Sequence, residues 1–385
     1  MSAHGSLGKM LAIDRDSFVP LYVQLKNLLQ RQILSGQLSA GSVVPSEFEL
    51  CRLHGVSRMT VRQALGDLES EGLIRREPGR GTFVLAEMPR RGLVLGLLFG
   101  GFGDHTFGRR SDAFGDLFRG VAEVTGPRGA LIHAIHLSDD DRLDVTLSSV
   151  AVRSLVNGLL VRIAREMTEE SLDALDRTGL PYVVVKRRVP PGRASCVVCD
   201  DVTGAAAGTE HLLGLGHRRI GLLLGPREIG TWADRRQGYE LAHARHDLAV
   251  DPDLIYTGGL PLDEAGYRGT LALLARRQPP TALFAASDHI AAGAYRAIRE
   301  LGLEPGADVA VLGYGGASFA GSMQPPLTTV TVPICELGRQ ATSLLFDLIT
   351  GAVNEPQTVV VPWRLDLRDS TPALPVASLL DESRA

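Results

Sequence analysis

The stretch from Ser46 to Val84 constrains this chain more than any other. Ser46-Glu47-Phe48-Glu49 forms a capping box, with serine at the N-cap and glutamate three residues on. It opens a short helix expected to end near His54-Gly55. Ser57 caps another helix a few residues later, running from Arg58 to about Glu71, with Gly72 as its stop. Val61, Ala64, Leu65 and Leu68 form the buried stripe of that helix. Arg58 and Arg62, four apart, share another face, with Met59, Thr60 and Gln63 beside or between them. A helical stretch over 20–35 precedes both, with Leu21, Leu25, Leu28, Leu29 and Ile33 at helical spacing and Gly36 at its end. Two β-prone runs, 73–77 and 82–85, surround Pro78-Gly79-Arg80-Gly81 and read as a hairpin. Two short helices joined by a tight glycine-containing turn are the helix-turn-helix pattern, and a hairpin directly after the second helix is a wing.

This arrangement suits a nucleic acid. Ser57 and Thr60 can donate to phosphates at a helix start, where backbone N–H groups are also free. Arg58 and Arg62 are long enough to reach guanine edges or phosphates. Arg80 stands between two glycines, where the backbone can approach closely, and suits a narrow minor groove. Charge supports the reading. The chain of 385 residues has a net charge of −4, but residues 1–91 hold 12 Lys/Arg against 9 Asp/Glu and the remainder 28 against 35. A mildly positive head therefore precedes an acidic body.

Residues 18–85 resemble the winged-helix head of the GntR family of bacterial transcription regulators. The matching text is Pro20-Leu21-Tyr22 with Gln24, Pro45-Ser46-Glu47, 56–65, Leu68-Glu69 with Glu71-Gly72-Leu73, and 79–84. The resemblance implies operator contacts from Arg58, Thr60, Arg62 and the Gly79-Arg80-Gly81 wing, with Ser46 and Ser57 at the helix starts. Phe48 departs from the arginine many members carry after Pro-Ser-Glu, so a contact from that position is not carried over.

Beyond a short Pro89-containing linker, 86–91, the pattern changes. Apolar runs at 93–98, 129–135, 158–162, 182–186, 194–198, 220–224, 254–257, 282–285 and 309–313 alternate with helical stretches. Such alternation predicts parallel sheets in an α/β fold, whose ligands sit beyond the carboxyl ends of the strands. No Walker sequence, G-x-S-x-G elbow or H-E-x-x-H is present, and Gly101-Phe102-Gly103 does not complete a dinucleotide motif because Thr106 occupies its last position. No catalytic residue, metal site or cofactor is expected. Cys196 and Cys199 form an isolated C-x-x-C within an apolar run and read as packed thiols. No apolar run reaches the ~18 residues of a membrane span, and 1–17 has no apolar core of a signal peptide, so the expected location is cytoplasmic.

Residues 92–370 are similar to the effector domain of LacI/GalR-type regulators, related to periplasmic sugar-binding proteins. The matching stretches include 157–160, 215–220, Arg235 with Gly238-Tyr239, Ser287-Asp288, 311–314, 326–330 and 336–338. The resemblance implies two lobes, about 92–198 plus 331–350 and about 199–330 plus the end, with a ligand cleft between them. It also implies dimerisation mainly through this body. Arg235, Ser287, Asp288, Tyr314 and Gly315 fall at cleft positions. Two acids of the family pattern are missing: Gly315-Gly316 stands where one is usual, and Lys186 replaces the other. Arg162 ends another strand. A positive cleft built from Arg162, Lys186 and Arg235 suits a sugar phosphate or sugar acid. A neutral sugar is the alternative if 186–188 points to solvent.

The expected organisation is thus a winged helix-turn-helix domain (1–85), a linker (86–91), a two-lobed periplasmic-binding-protein-like α/β domain (92–370) and a frayed tail (371–385). The expected function is a homodimeric repressor that leaves its operator DNA when a small sugar-type effector binds. A corepressor or activator of the same fold is the alternative, and an α/β enzyme with a DNA-binding head a distant one.

Overall fold

The computed structural model describes residues 13, 15, 19–34, 37–85, 93–100, 112–137, 143–148, 156–163, 167–226 and 231–374. The expected linker 86–91, the glycines 101 and 103, and the tail beyond 374 lie outside the described residues.

The head contains α1 (Leu21–Leu34), β1 (Val43–Val44), α2 (Glu47–His54), α3 (Arg58–Ser70), β2 (Ile74–Glu77) and β3 (Gly81–Val84). Its core joins Leu25, Leu29 and Ile33 of α1 to Val61, Ala64, Leu65 and Leu68 of α3, the stripe expected from helical spacing. Gly55 ends α2 in the left-handed region (φ 64°), which glycine enters without penalty. The β2–β3 hairpin is antiparallel, and β1 pairs with β3 as a third strand.

The body is two parallel α/β layers threaded by one chain. The first continues through β4 (Val94–Gly100), α4 (Asp112–Thr125), β5 (Leu131–Leu137), α5 (Leu143–Ser148), β6 (Gly158–Ile163), α6 (Glu169–Asp176), β7 (Tyr182–Val185) and β8 (Ser195–Cys199). The second holds α7 (Asp201–Gly214), β9 (Ile220–Leu224), α8 (Thr231–Arg245), β10 (Ile255–Thr257), α9 (Leu262–Leu274), β11 (Ala282–Ala285), α10 (Asp288–Glu300), β12 (Ala310–Gly315) and β13 (Thr328–Thr331). Then α11 (Ile334–Thr350) returns to pack on α4 and on β6, β7 and β8 of the first lobe. β14 (Thr358–Val361) joins the first sheet and β15 (Arg364–Asp366) the second. The sheet orders are β14-β8-β7-β6-β4-β5 and β10-β9-β11-β12-β13-β15.

Helices on both faces explain the sequence pattern. The central strands β7, β8, β9 and β11 are buried at every residue, whereas the edge strands β5 and β14 are partly exposed. The nine apolar runs all appear as strands. β13, β14 and β15 are not among them: each is three or four residues with no period to separate it from a loop. Cys196 and Cys199 are buried free thiols in β8. The segment after Ser370 is held at its start, against the expectation of fraying. Thr371 meets His211, Pro372 O lies 3.3 Å from His217 Nε2, and Leu374 N donates to Leu215 O. The head also touches the first lobe, where Asn27 of α1 donates to Gly179 O just beyond α6.

Candidate DNA interface and effector cleft

On the head, Ser46 and Ser57 cap adjacent helices and bring their first turns to one face. The capping box is complete: Ser46 Oγ accepts from Glu49 N, and Glu49 Oε2 accepts from Ser46 N at 2.8 Å. Ser46 Oγ also lies 2.8 Å from Glu49 Oε2, so its proton is used within the cap. Ser57 Oγ accepts from Thr60 N and lies 2.8 Å from Thr60 Oγ1. One hydroxyl proton serves that pair and the other remains for a phosphate.

Arg58 and Arg62 converge on a carboxylate that sequence reasoning missed. Glu47 Oε2 accepts from Arg58 Nε at 2.9 Å and from Arg62 Nε at 3.1 Å. Hydrogen bonds from Arg58 and then from Arg62, with the charges of both, outweigh desolvation and hold the Glu47 carboxyl below its usual range. The side chains of Arg58 and Arg62 remain 71% and 52% exposed. Glu47 is eleven and fifteen residues away on the preceding helix, so no local spacing reveals the contact. At the wing tip Gly79 has φ 74° and Gly81 φ 117°, and Arg80, 76% exposed, pairs with Glu77. Phe48 and Met59 are exposed beside these arginines at 77% and 74%.

The second candidate site is a cavity of about 180 Å³ between the two sheets of the body. All seven cleft residues expected from the sequence line it: Arg162, Lys186, Arg235, Ser287, Asp288, Tyr314 and Gly315. All but Arg235, which lies in the second turn of α8, belong to a strand end or to the helix start beyond it. Arg162 is near the end of β6, Lys186 follows β7, Ser287 caps α10 and Asp288 begins it, and Tyr314-Gly315 end β12. Arg187, Thr231 and Trp232 line it as well and were not foreseen. Arg187 donates to Thr231 Oγ1 at 2.6 Å, a hydrogen bond from one lobe to the other. Arg188, in contrast, is exposed and reaches no closer than 4.0 Å to Asp200.

Buried ion pairing organises the second lobe's side. Arg235, 5% exposed, donates from Nε and a terminal nitrogen to Asp201 Oδ1 at 3.1 and 3.0 Å, and also to Ala286 O. Its guanidinium lies 3.9 Å from the Tyr314 ring centroid and 5.3 Å from that of Trp232. Burial opposes ionisation of Asp201, but Arg235 and then Lys186 outweigh it and keep the carboxyl below its ordinary value. Asp201 begins α7 two residues past the end of β8, a position at which strand-end reasoning points.

Asp288 is used by the fold around it. Its two oxygens accept from Thr329 Oγ1 and from Ala317 N, each at 2.6 Å. A Cβ at position 313 would stand 2.3 Å from Asp288 Oδ1, so Gly313 makes room for the carboxylate. Burial raises the Asp288 pKa against these hydrogen bonds. On the first lobe's side, burial pushes Lys186 down to about 7 and Arg162 down to about 9, and lowers Arg187 too. Lys186 also holds a left-handed backbone (φ 61°), a conformation that costs a lysine about 1–2 kcal/mol.

A surface of caps and arginines on a winged helix, joined to a two-lobed body with a polar cavity, defines a DNA-binding regulator with a ligand-sensing domain. Comparison with known proteins agrees. Residues 21–84 match the model of bacterial regulatory proteins of the gntR family, and 209–371 match that of the periplasmic binding protein-like domain. The chain is 27% identical over 371 residues to the arabinose metabolism transcriptional repressor of Geobacillus stearothermophilus, covering 93% of this chain and 99% of that one. It is 30% identical over 262 residues to the HTH-type transcriptional repressor CytR of Escherichia coli K12, covering 68% of this chain and 76% of the relative. A solved complex of the transcriptional regulator CelR with cellobiose superposes with a TM-score of 0.65 at 25% identity, covering 85% of this chain and all of that one. The chain belongs to the bacterial transcription regulators that join a GntR-type DNA-binding head to a LacI-type effector domain. Its relatives are regulators, not enzymes. No helix among the described residues is long and apolar enough to cross a membrane.

Proposed function

We propose that this protein is a cytoplasmic homodimeric repressor, released from its operator by a small sugar-type effector: a sugar, sugar phosphate or sugar acid. The observation that carries the reading is the presence, in one chain, of an exposed arginine face on a winged helix and a cavity lined by charged side chains between two lobes. The organisation that follows is a head over 1–85, a linker at 86–91, a body over 92–370 and a tail at 371–385. Ser46, Ser57, Thr60, Gly79 and Gly81 would position the head on phosphates through caps and backbone. Arg58 and Arg62 would read base edges in the major groove, and Arg80 would enter the minor groove.

In the body, Arg162, Lys186, Arg235, Ser287, Asp288, Tyr314 and Gly315 would hold the effector. The arabinose repressor and the CelR–cellobiose complex support a sugar-type ligand by their names. Both lobes contribute to the cavity, so a ligand that binds both favours one lobe arrangement over another. The contact from Asn27 to Gly179 ties α1 to the first lobe and gives that change a physical connection to the head. A dimer with one head per subunit would read a pseudo-palindromic site, because protein symmetry sets half-site spacing.

The test is footprinting of the purified protein on the DNA next to its own gene, titrated with salt and then with sugars. A protected two-fold site, weakened by salt as phosphate contacts release counterions, and lost with a sugar, is the expected result. Tighter protection with the sugar would make the ligand a corepressor. Absence of any protected site would refute the reading.

A further inference from the structure

Among the described residues, the two most exposed large apolar side chains are Phe48 and Met59. Each is the second residue of a helix of the helix-turn-helix, Phe48 in α2 and Met59 in α3. Neither belongs to the core of the head. At about 100° per residue, Met59 lies opposite the buried stripe of Val61, Ala64, Leu65 and Leu68, and Phe48 lies opposite Leu50. Each therefore points straight out from its helix. The two first turns adjoin, because Glu47 accepts hydrogen bonds from Arg58 and Arg62. A single exposed apolar residue is ordinary on a protein surface. Two on the face that also carries the helix caps and the arginines call for a partner.

The neighbouring side chains indicate what covers them. Gln63 is one turn on from Met59 along the outward line of α3, and it is exposed. Its amide offers the donor and acceptor that an adenine edge takes in the major groove. The thymine paired with that adenine presents a C5-methyl group, the apolar feature of the groove. Arg58 and Arg62 suit guanine edges or phosphates. A partner that meets arginines, a primary amide and two apolar tips on one face is duplex DNA with A·T pairs in the groove.

We propose that Met59 and Phe48 are specificity-determining residues, each packing on the C5-methyl group of a thymine in the operator half-site. The inference rests on the reading that this face of the head meets operator DNA. Met59 stands at the N-terminal end of α3, the part of a recognition helix that approaches base edges. Phe48 reaches a second thymine from the preceding helix. Burying a methyl group releases no counterions, so these contacts discriminate between sequences without adding to the salt dependence that phosphate contacts create.

The experiment selects a binding site for the purified chain from random-sequence duplex DNA. Fluorescence anisotropy then compares wild type, Met59→Ala and Phe48→Ala on duplexes in which single thymines are replaced by deoxyuridine, which removes only the methyl group. Two thymine positions in each half-site should lose about three- to fivefold in wild-type affinity on replacement, the worth of one buried methyl group. One loss should vanish in Met59→Ala and the other in Phe48→Ala, the coupling that a direct contact produces. Both variants should keep the melting temperature of wild type, since neither side chain is packed, and the same slope of affinity against salt. Deoxyuridine tolerated at every thymine of the selected site overturns the inference and leaves the DNA-binding reading standing. Penalties of equal size in wild type and both variants do the same. A penalty that vanishes in one variant alone keeps that residue as a reader and removes the other. Variants that bind the selected site as wild type does but change the oligomeric state assign the face to a second copy of the chain, which also overturns the inference. A protein that selects no sequence contradicts the DNA-binding reading itself.

Discussion

On the head, Glu47 holds Arg58 and Arg62 in water; in the cleft, Asp201 holds Arg235 away from it. The chemistry is the same and the physics differs. The Glu47 pairs are solvated, so each contributes little to stability and yields readily to a phosphate. They pre-orient two long side chains toward one face. The Asp201–Arg235 pair is nearly dry, with 7% and 5% exposure, and losing one partner strands the other charge. A surface that must exchange partners with DNA is therefore built from weak pairs. A cavity that must keep its shape before the ligand arrives is built around a strong one.

The largest expected effect lies on the exposed side, because there the proposed role of the arginines is toward DNA and not toward the fold. Replacing Arg58 and Arg62 together by alanine should remove specific operator binding. Two base contacts at about 1–3 kcal/mol each amount to thirtyfold or more in affinity. Melting and ligand titration should be unchanged. A double variant that still footprints the same site would mean that another element reads the operator.

Asp201→Ala comes next. It should destabilise the chain by about 3–5 kcal/mol in a denaturant titration, since Arg235 would stay buried without its counter-charge. A loss under 1 kcal/mol would show that the pair is as solvated as Glu47 with its arginines.

A smaller effect distinguishes the buried lysine. Lys186 sits near 7 in the folded protein, against about 10.4 in an unfolded chain. Between those values the unfolded chain binds a proton that the folded one does not, so stability rises with pH across that window. The melting temperature of the ligand-free protein should climb from pH 7 to pH 9, and Lys186→Gln should flatten the climb. A fall over this range in wild type alone would reverse the sign and refute the burial of the amine.

The smallest effect returns to the head. Glu47→Ala should change stability by less than about 1 kcal/mol, because both pairs are at the surface. It should tighten nonspecific DNA binding at low salt by removing a negative charge from the face. Denaturant melts and fluorescence anisotropy on random-sequence DNA check the two halves of this expectation.

The two regions also differ in how far the sequence reveals them. The head was legible almost residue by residue, since caps at Ser46 and Ser57, the stripe Val61–Leu68 and the Pro78-Gly79 turn are local signals. What escaped was Glu47, whose partners lie on another helix. In the body, nine apolar runs located the strands, and the resemblance to LacI-type effector domains, read together with the strand ends, pointed to the seven residues that line one cavity. The charge balance was harder to read. Two family acids are absent, but Asp201 supplies another from a different strand end and neutralises Arg235. Arg162, Lys186 and Arg187 line the cavity from the first lobe, while Arg235 is neutralised from the second. Pairing between positions 34 residues apart follows from topology, which spacing alone does not encode.

The claim that joins the regions is that occupancy of the cleft changes the grip of the head. The direct measurement is operator affinity by fluorescence anisotropy, at fixed salt, with and without a saturating ligand identified by calorimetry. The account predicts that the ligand weakens operator binding by about 5–150-fold, and that operator DNA weakens ligand binding by the same factor. A ligand that fills the cleft and leaves operator affinity unchanged would contradict it.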